Sequence, residues 1–359
     1  NYNGVFLLNY LQTRGYDVAL INGFYEERES FLRLLEERPR ALLVSTTFIL
    51  GKGPLRDFTA EIRSLAPESP IVVGGPLVCS SYLLLERRDE PDYDTESAKN
   101  DFLFLDVDEE PPVDLYVVSQ RGEEILCEAL DRIKQDRPLD DLPNTATFDG
   151  KSYSFSRRVD DFSGSLQLEI DWMSLPEHVF RSGSVTMQAS NGCPYRCAFC
   201  NFVKDRRHIF VKPVDQLISE MRDVASRGVR YVRFVDDNFR LGSDDLNAVS
   251  QRLVDEGLGL RWMSFFRAST LKNADLPLLR RAGCMEVRLG LESANLNVLR
   301  KMNKRSDPEL YAEAIRMLLA AGIDCAVSFI FGFPSETDET ARQTIEFIKN
   351  VESPQEEGV

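Results

Sequence analysis

Three thiols, Cys193, Cys197 and Cys200, stand within eight residues at gaps of three and two. Cysteines this close cannot all pair with one another, so the crowding points to thiolates that share a metal. A tetrahedral zinc needs four ligands, and His208 would complete a Cys3His set. An iron–sulfur cluster usually takes four cysteines, and no fourth lies nearby in the sequence. Three thiolates on a four-iron cluster would leave one iron open to another ligand. Pro194 and the preceding Asn191-Gly192 make this stretch a loop, and the run at 184–188 before it reads as a strand. The metal site therefore lies just past the carboxyl end of a strand, where barrels and open α/β sheets carry their chemistry.

The elements that must position this loop follow in a regular series. Val214, Leu217, Ile218, Met221, Val224 and Ala225 recur at helical spacing and stop at Gly228. Residues 231–235 form the second strand and lead into Asp236-Asp237-Asn238-Phe239. Residues 261–267 form the third, ending at Arg267, and residues 285–293 the fourth, ending at Glu292-Ser293. Residues 325–334 form the fifth, ending in Ile330-Phe331-Gly332-Phe333-Pro334. A helix follows each strand. Five βα units in series close most naturally as a parallel barrel or part of one. An ordinary α/β barrel and a specialised one differ in the residues at their strand ends.

In its cysteine spacing, in the aromatic Phe199 before the last cysteine and in the order of its strand-end residues, this half resembles the radical S-adenosylmethionine (radical SAM) superfamily. The resemblance implies a [4Fe–4S] cluster on Cys193, Cys197 and Cys200, its open iron chelated by S-adenosylmethionine. Asp236, Asp237 and Asn238 then stand where the methionyl amino group is held, a carboxylate suiting an ammonium. Arg267 is placed for the methionyl carboxylate, which a guanidinium can grip in a bidentate fork. Glu292 matches the ribose-binding position. Ile330, Gly332 and Pro334 match the motif on which the adenine rests, with Phe199 touching it from the cluster loop. The family's core is a six-unit partial barrel, so a sixth strand is expected to be missing here. Taken alone, each strand-end residue also has an ordinary structural role, as a loop cap or an interior ion pair.

The first half alternates strands that are apolar throughout with helices, which indicates a parallel sheet covered on both faces. Short strands are expected at 17–21, 41–45 and 71–75, with helices at 4–11, through Phe31, Leu32 and Leu35, and at 55–65. Such a doubly wound, Rossmann-like domain binds ligands past its strand ends, here Ser45, Thr46 and Thr47 and Gly74, Gly75 and Pro76. No G-x-G-x-x-G is present, which weakens a dinucleotide reading. The layout resembles instead the cobalamin-binding domain that precedes many radical SAM barrels, and that resemblance implies a last strand at 113–118 with Ser119 after it at the corrin. If Gly4 is the glycine of that domain's Asp-x-His-x-x-Gly motif, the histidine position falls on Asn1. The implied cobalamin therefore takes no histidine ligand from this domain. A domain that packs on the barrel and binds nothing is the alternative.

The fold expected is thus α/β: a cobalamin-binding Rossmann-like domain over 1–140 with an acidic, solvated insertion at about 85–112, a connector over 141–181 and a partial (β/α)6 radical SAM barrel over 182–359, truncated at both ends. Residues 144–155 read as a hairpin within the connector, and Trp172 as a packing residue at a domain seam. The activity implied is that of a cobalamin-dependent methyltransferase, which methylates an unactivated carbon or phosphorus using a 5′-deoxyadenosyl radical and methylcobalamin. A cyclisation, rearrangement or ring contraction on the same cofactors, a radical SAM enzyme with an empty first domain and a zinc-binding scaffold are the alternatives. No residue is assigned to the chemical step itself.

Composition bounds the partners. The chain has 359 residues, 43% hydrophobic, and a net charge of −15. That charge argues against a nucleic-acid groove. No apolar run approaches a membrane span. Cys79, Cys127, Cys284 and Cys325 are scattered singly among apolar neighbours and read as small buried hydrophobes in a reducing, cytoplasmic compartment. The expected partners are a small-molecule or peptide substrate and an electron donor such as flavodoxin or ferredoxin.

Overall fold

A computed structural model describes residues 2–90, 95–159, 169–200, 209–239 and 242–351. The chain divides into two compact units, residues 3–165 and residues 166–359.

In the first unit, helices α1 (Tyr2–Gln12) and α2 (Arg28–Glu36) precede strand β1 (Leu42–Ser45). Helix α3 (Lys52–Leu65), strand β2 (Ile71–Gly74), helices α4 (Pro76–Glu86) and α5 (Thr95–Ala98), strand β3 (Leu115–Val117) and helix α6 (Glu123–Lys134) follow. The strands β1, β2 and β3 pair in parallel. Successive side chains on a strand face opposite sides, and both faces are covered. Ile71, Val73, Tyr116 and Val118 pack with Leu55 and Ile62 of α3 and Leu77 and Val78 of α4. Val72, Leu115 and Val117 pack on the other face with Leu11 of α1 and Leu126 and Ala129 of α6. That double burial is why these strands read as unbroken apolar runs.

Three expectations need correcting in this unit. Residues 17–21 form no strand. The Val18 carbonyl is taken by the Gln12 side chain (3.4 Å), and Val18 and Ile21 contribute to opposite packing layers without joining a ladder. The acidic stretch 85–112 is not simply solvated. Leu103 and Phe104 are buried in the α3/α4 layer, and the buried Lys52 ammonium takes Asp106 (2.5 Å) and Glu110 (2.6 Å) from it. The hairpin at 144–155, strands β4 (Thr145–Phe148) and β5 (Tyr153–Phe155), is present. Yet β4 pairs antiparallel with β3, so the hairpin extends the first sheet to the order β1-β2-β3-β4-β5 and is no mere connector.

In the second unit a short 3-10 turn, Glu177–Phe180, leads to strand β6 (Ser184–Met187). A two-residue ladder, β7 (Ser190–Asn191) with β8 (Phe210–Val211), comes next. Then follow α7 (Val214–Ser226), β9 (Tyr231–Phe234), α8 (Ser243–Glu256), β10 (Arg261–Phe266), α9 (Ala268–Leu271) and α10 (Leu276–Arg281). The unit is completed by β11 (Cys284–Glu292), α11 (Leu296–Lys301), α12 (Pro308–Ala320), β12 (Asp324–Phe329) and α13 (Asp338–Val351). The main sheet is parallel throughout and runs β12-β11-β10-β9-β6, in strict sequence order. Sequential parallel strands joined by helices all wind one way, which is the start of a barrel. Trp172 has no exposed surface and donates its Nε1–H to Glu220 on α7 (3.0 Å), so it packs against this unit, with Lys212 as the second partner of Glu220 (2.7 Å).

Candidate functional site

The cysteine loop leaves β6 through a narrow neck. Ser190 pairs with Val211 and Asn191 with Phe210, so the β7–β8 ladder pinches both sides of the loop together. Gly192 then turns the chain with φ +91°, a conformation that suits a residue without a Cβ. Cys193, Cys197 and Cys200 follow, all half-buried and none in a disulfide. The loop is tied down from behind. Ala198 donates its N–H to the Met302 carbonyl (2.8 Å), and the Asn303 side chain donates to the Arg196 carbonyl (2.6 Å), both at the end of α11.

Among the described residues no three His, Cys, Asp or Glu side chains converge on a single ion position. A [4Fe–4S] cluster does not need that convergence, because each thiolate takes a different corner iron. Three free thiols on one anchored loop fit three corners. His208, the fourth ligand of the zinc alternative, lies outside the described residues.

The residues after β9 clasp this neck. Asp236 accepts from the Ala189 N–H (3.1 Å), the Ser190 N–H and the Ser190 hydroxyl (2.5 Å). Asp237 accepts from the Gly192 N–H (2.9 Å). Two adjacent carboxylates thus hold the chain leading into Cys193. Burial pushes the Asp236 carboxyl up to about 7 against these hydrogen bonds. The buried Asn238 Oδ1 has no hydrogen-bond partner. A buried acceptor left open is costly, and it suits an ammonium donor. Of the three residues expected at the methionyl amino group, then, Asp236 is engaged on the cluster loop, Asp237 in part, and Asn238 is open.

Arg267, just past β10, is 7% exposed. Its guanidinium lies 3.7 Å over the Tyr195 ring of the cysteine loop and donates to the Arg305 carbonyl. The geometry brings the strand-end cation against the cluster loop through a cation–π contact. Glu292, at the end of β11, adopts φ +71°. Its carboxylate pairs with Lys304 (3.0 Å), and its carbonyl accepts the Ile330 N–H (2.9 Å). The Lys304 ammonium is in turn 5.7 Å from the Phe199 ring. Lys304, a residue that nothing in the sequence singled out, thus joins Phe199 to Glu292, whose backbone in turn holds Ile330. Lys304 lies in the loop between α11 and α12, and no strand end or periodicity marks it. Gly332 and Pro334 sit exposed in the turn after β12, where Gly332 has φ +81° and donates its N–H to Glu336 (2.5 Å).

In the first unit the three parallel strand ends meet at hydroxyls and glycines. Thr46 is 1% exposed. Its Oγ1 donates to the Gly74 carbonyl (3.0 Å) and accepts from the Leu77 N–H (3.1 Å). Gly75 has φ +108°, and a Cβ there would stand 2.9 Å from Thr46 Oγ1. Thr46 and Gly75 are thus committed to joining β1 to β2, with Pro76 opening α4. Ser45 and Thr47 share a hydrogen bond (2.9 Å) and are half-buried. The Ser119 hydroxyl accepts from the Arg121 N–H (3.0 Å). Beyond Thr47 the loop leaves Phe48 75% and Leu50 85% exposed. Hydroxyls at the strand ends beside bare apolar side chains fit a large ligand that is apolar with a polar rim, as a corrin is. Both histidines of the chain lie outside this unit.

Residues 187–348 match the Radical SAM superfamily family model. The chain is 30% identical over 185 residues to an uncharacterized methyltransferase of Pyrococcus horikoshii, covering 50% of this chain and 40% of that protein. It is 25% identical over 256 residues to the anaerobic magnesium-protoporphyrin IX monomethyl ester cyclase of Cereibacter sphaeroides, covering 68% of this chain and 42% of the cyclase. The chain thus spans about two fifths of the length of these curated relatives. Among solved structures, that of the radical S-adenosylmethionine methyltransferase TsrM of Kitasatospora setae, with cobalamin and a [4Fe–4S] cluster bound, is similar. The TM-score is 0.70 at 19% identity, over 98% of this chain and 68% of that one. At that identity the likeness is one of fold, and it extends over both units.

Proposed function

We propose that the chain is a radical SAM enzyme and a cobalamin-dependent methyltransferase of that superfamily, acting on an unactivated carbon or on phosphorus. The observation that carries this reading is the pairing of two units in one chain. A doubly wound sheet with hydroxyl and glycine strand ends precedes a barrel with an anchored cysteine loop, and a cobalamin-bound methyltransferase shares that fold over 98% of this chain.

When bound, the cluster and S-adenosylmethionine supply one-electron cleavage of a carbon–sulfur bond and hydrogen-atom abstraction, and cobalamin supplies a methyl group. The chain's own residues hold and orient. Cys193, Cys197 and Cys200 take three corners of the cluster. Asn238 and Asp237 accept from the methionyl ammonium, and Arg267 pairs with the methionyl carboxylate. Glu292, fixed by Lys304, accepts from the ribose hydroxyls, and Phe199 lies along the adenine with Ile330, Gly332 and Pro334. Ser45, Thr47 and Ser119 face the corrin rim, while Thr46, Gly74, Gly75 and Pro76 set the shape of the strand ends. A small molecule or peptide is the acceptor, and a flavodoxin or ferredoxin supplies the electron.

The similarity to the cyclase, which covers more of this chain than that to the methyltransferase relative, favours a second reading: the same cofactors used without net methylation. The experiment is to load the protein anaerobically with cobalamin, add reductant and S-adenosylmethionine carrying a deuterated methyl group, and weigh the extracted corrin. Deuterated methylcobalamin is expected. A corrin that never acquires the label under reducing conditions would exclude methyl transfer and leave the second reading.

A further inference from the structure

Four consecutive residues between α11 and α12 each touch a different part of the candidate site. The Met302 carbonyl accepts the Ala198 N–H (2.8 Å), and the Asn303 side chain donates to the Arg196 carbonyl (2.6 Å). Lys304 pairs with Glu292 (3.0 Å) and lies 5.7 Å from the Phe199 ring. The Arg305 carbonyl accepts from the Arg267 guanidinium. Arg196 and Ala198 are the two chain neighbours of Cys197, so the first two contacts grip the backbone on both sides of that thiol. The last two reach the residues assigned to the ribose and to the methionyl carboxylate. The segment is itself fixed by the way α11 ends. Asn303 adopts φ +48°, its N–H bonds to the Arg300 carbonyl (3.0 Å), and the Lys304 N–H returns to the Leu299 carbonyl (2.9 Å). That is a left-handed helix stop, a position asparagine tolerates after glycine. Met302, beside it, is fully buried.

S-adenosylmethionine is a single covalent ligand that must meet the cluster at its methionyl end while its ribose rests on Glu292. Both ends are satisfied only when the cysteine loop and the strand ends stand at the right separation, and a preorganised site holds such a separation to about 0.5 Å. A loop of eight residues between distant strands does not set that separation alone. The segment 302–305 does, because it bonds to the loop on one side and to Glu292 and Arg267 on the other. We propose that this segment is the spacer that fixes the cluster loop against the S-adenosylmethionine pocket, and that Asn303 is a positioning residue for that cofactor, acting through Arg196 and Cys197. The inference rests on the radical SAM reading of the strand ends and deepens it. Asn303 touches none of the residues assigned to the nucleoside, so its amide should matter only to a ligand that reaches both the cluster and the pocket.

The test is equilibrium binding and needs neither turnover nor corrin. Wild type and variants are brought anaerobically to equal iron content and dialysed against S-adenosylmethionine or 5′-deoxyadenosine, which carries the ribose and adenine but no methionyl group. Asn303→Gly keeps the left-handed helix stop and removes only the amide. It should raise the Kd of S-adenosylmethionine roughly fivefold, the loss of one neutral hydrogen bond, and leave that of 5′-deoxyadenosine unchanged. Asn303→Asp, which also accepts this backbone conformation but cannot donate to the Arg196 carbonyl, should show the same split. S-adenosylmethionine bound as tightly by both variants as by wild type would overturn the proposal. So would an equal weakening of the two ligands, which would make Asn303 a structural residue of the fold rather than a spacer. In either case wild type still binds S-adenosylmethionine, and the radical SAM reading stands. Iron-loaded wild type that binds no S-adenosylmethionine would instead overturn that reading, and the proposal with it.

Discussion

Lys304 pairs with Glu292 at the end of β11 and reaches the Phe199 ring of the cysteine loop. Its ammonium and the Glu292 carboxylate are both nearly buried, with side-chain exposures of 7% and 9%. Lys304→Met leaves that carboxylate without a counter-ion, and breaking a buried pair from one side costs about 3–5 kcal/mol. Chemical unfolding should show most of that loss in the single variant and a clear recovery in Lys304→Met/Glu292→Gln, where neither charge remains. A single variant as stable as wild type would mean that the pair is not formed. Asp236 makes a second prediction at this scale. Burial raises its carboxyl to about 7, so the folded chain keeps a proton that the unfolded chain gives up near the ordinary value of about 4. Between about pH 4 and pH 7 the folded state binds more protons, so this group's contribution to stability falls as pH rises through that window. The stability of wild type minus that of Asp236→Asn, measured by urea unfolding, should decline across it. A difference that is independent of pH would contradict the assignment.

At the scale of elements, the neck of the cysteine loop is held by the β7–β8 ladder, the Asp236–Asp237 clasp and the tie to α11, all of which place an eight-residue cysteine run on a rigid strand end. The parallel sheet behind it depends on close approaches. Gly283, between α10 and β11, has φ +95°, and a Cβ there would stand 2.1 Å from the Leu260 carbonyl oxygen. Gly283→Ala should therefore cost more than about 1 kcal/mol of stability, read from the unfolding midpoint, whereas Gly257→Ala, whose Cβ meets nothing within 4 Å, bears only the backbone strain and should lose less. Equal losses would show that backbone conformation, not crowding, sets the cost.

The elements were largely legible because both sheets are parallel and buried: apolar runs such as Ile71-Val72-Val73 announce themselves without alternation, and the glycines after the helices mark the stops. The failures have a common physical source. A strand is defined by its neighbour, and 17–21 has the composition of a strand but no ladder. Charge runs look solvated until a partner distant in sequence is known, as Lys52 is for Asp106 and Glu110. Strand-end residues were found by their order, but which of them face a ligand and which serve the backbone could not be. Asp236 and Thr46 illustrate this, each saturated by local hydrogen bonds. Lys304 and Arg305 escaped notice because a loop between helices carries no pattern.

At the scale of the molecule, each unit carries its own core and its own candidate cofactor site, so the two should respond separately. Gly75→Ala forces a Cβ against Thr46 at the strand ends of the first unit. It should lower corrin content several-fold while leaving iron content unchanged; loss of both together would mean that the two sites are not independent. No described helix is long and apolar enough to cross a membrane. The measurement that tests the central claim most directly is iron, sulfide, zinc and corrin analysis of protein purified without oxygen and supplied with cobalamin. About four irons and about one corrin per chain are expected, with iron lost when Cys193, Cys197 and Cys200 are replaced by alanine. Iron without corrin would contradict the assignment of the first unit, and zinc without iron would contradict the account as a whole.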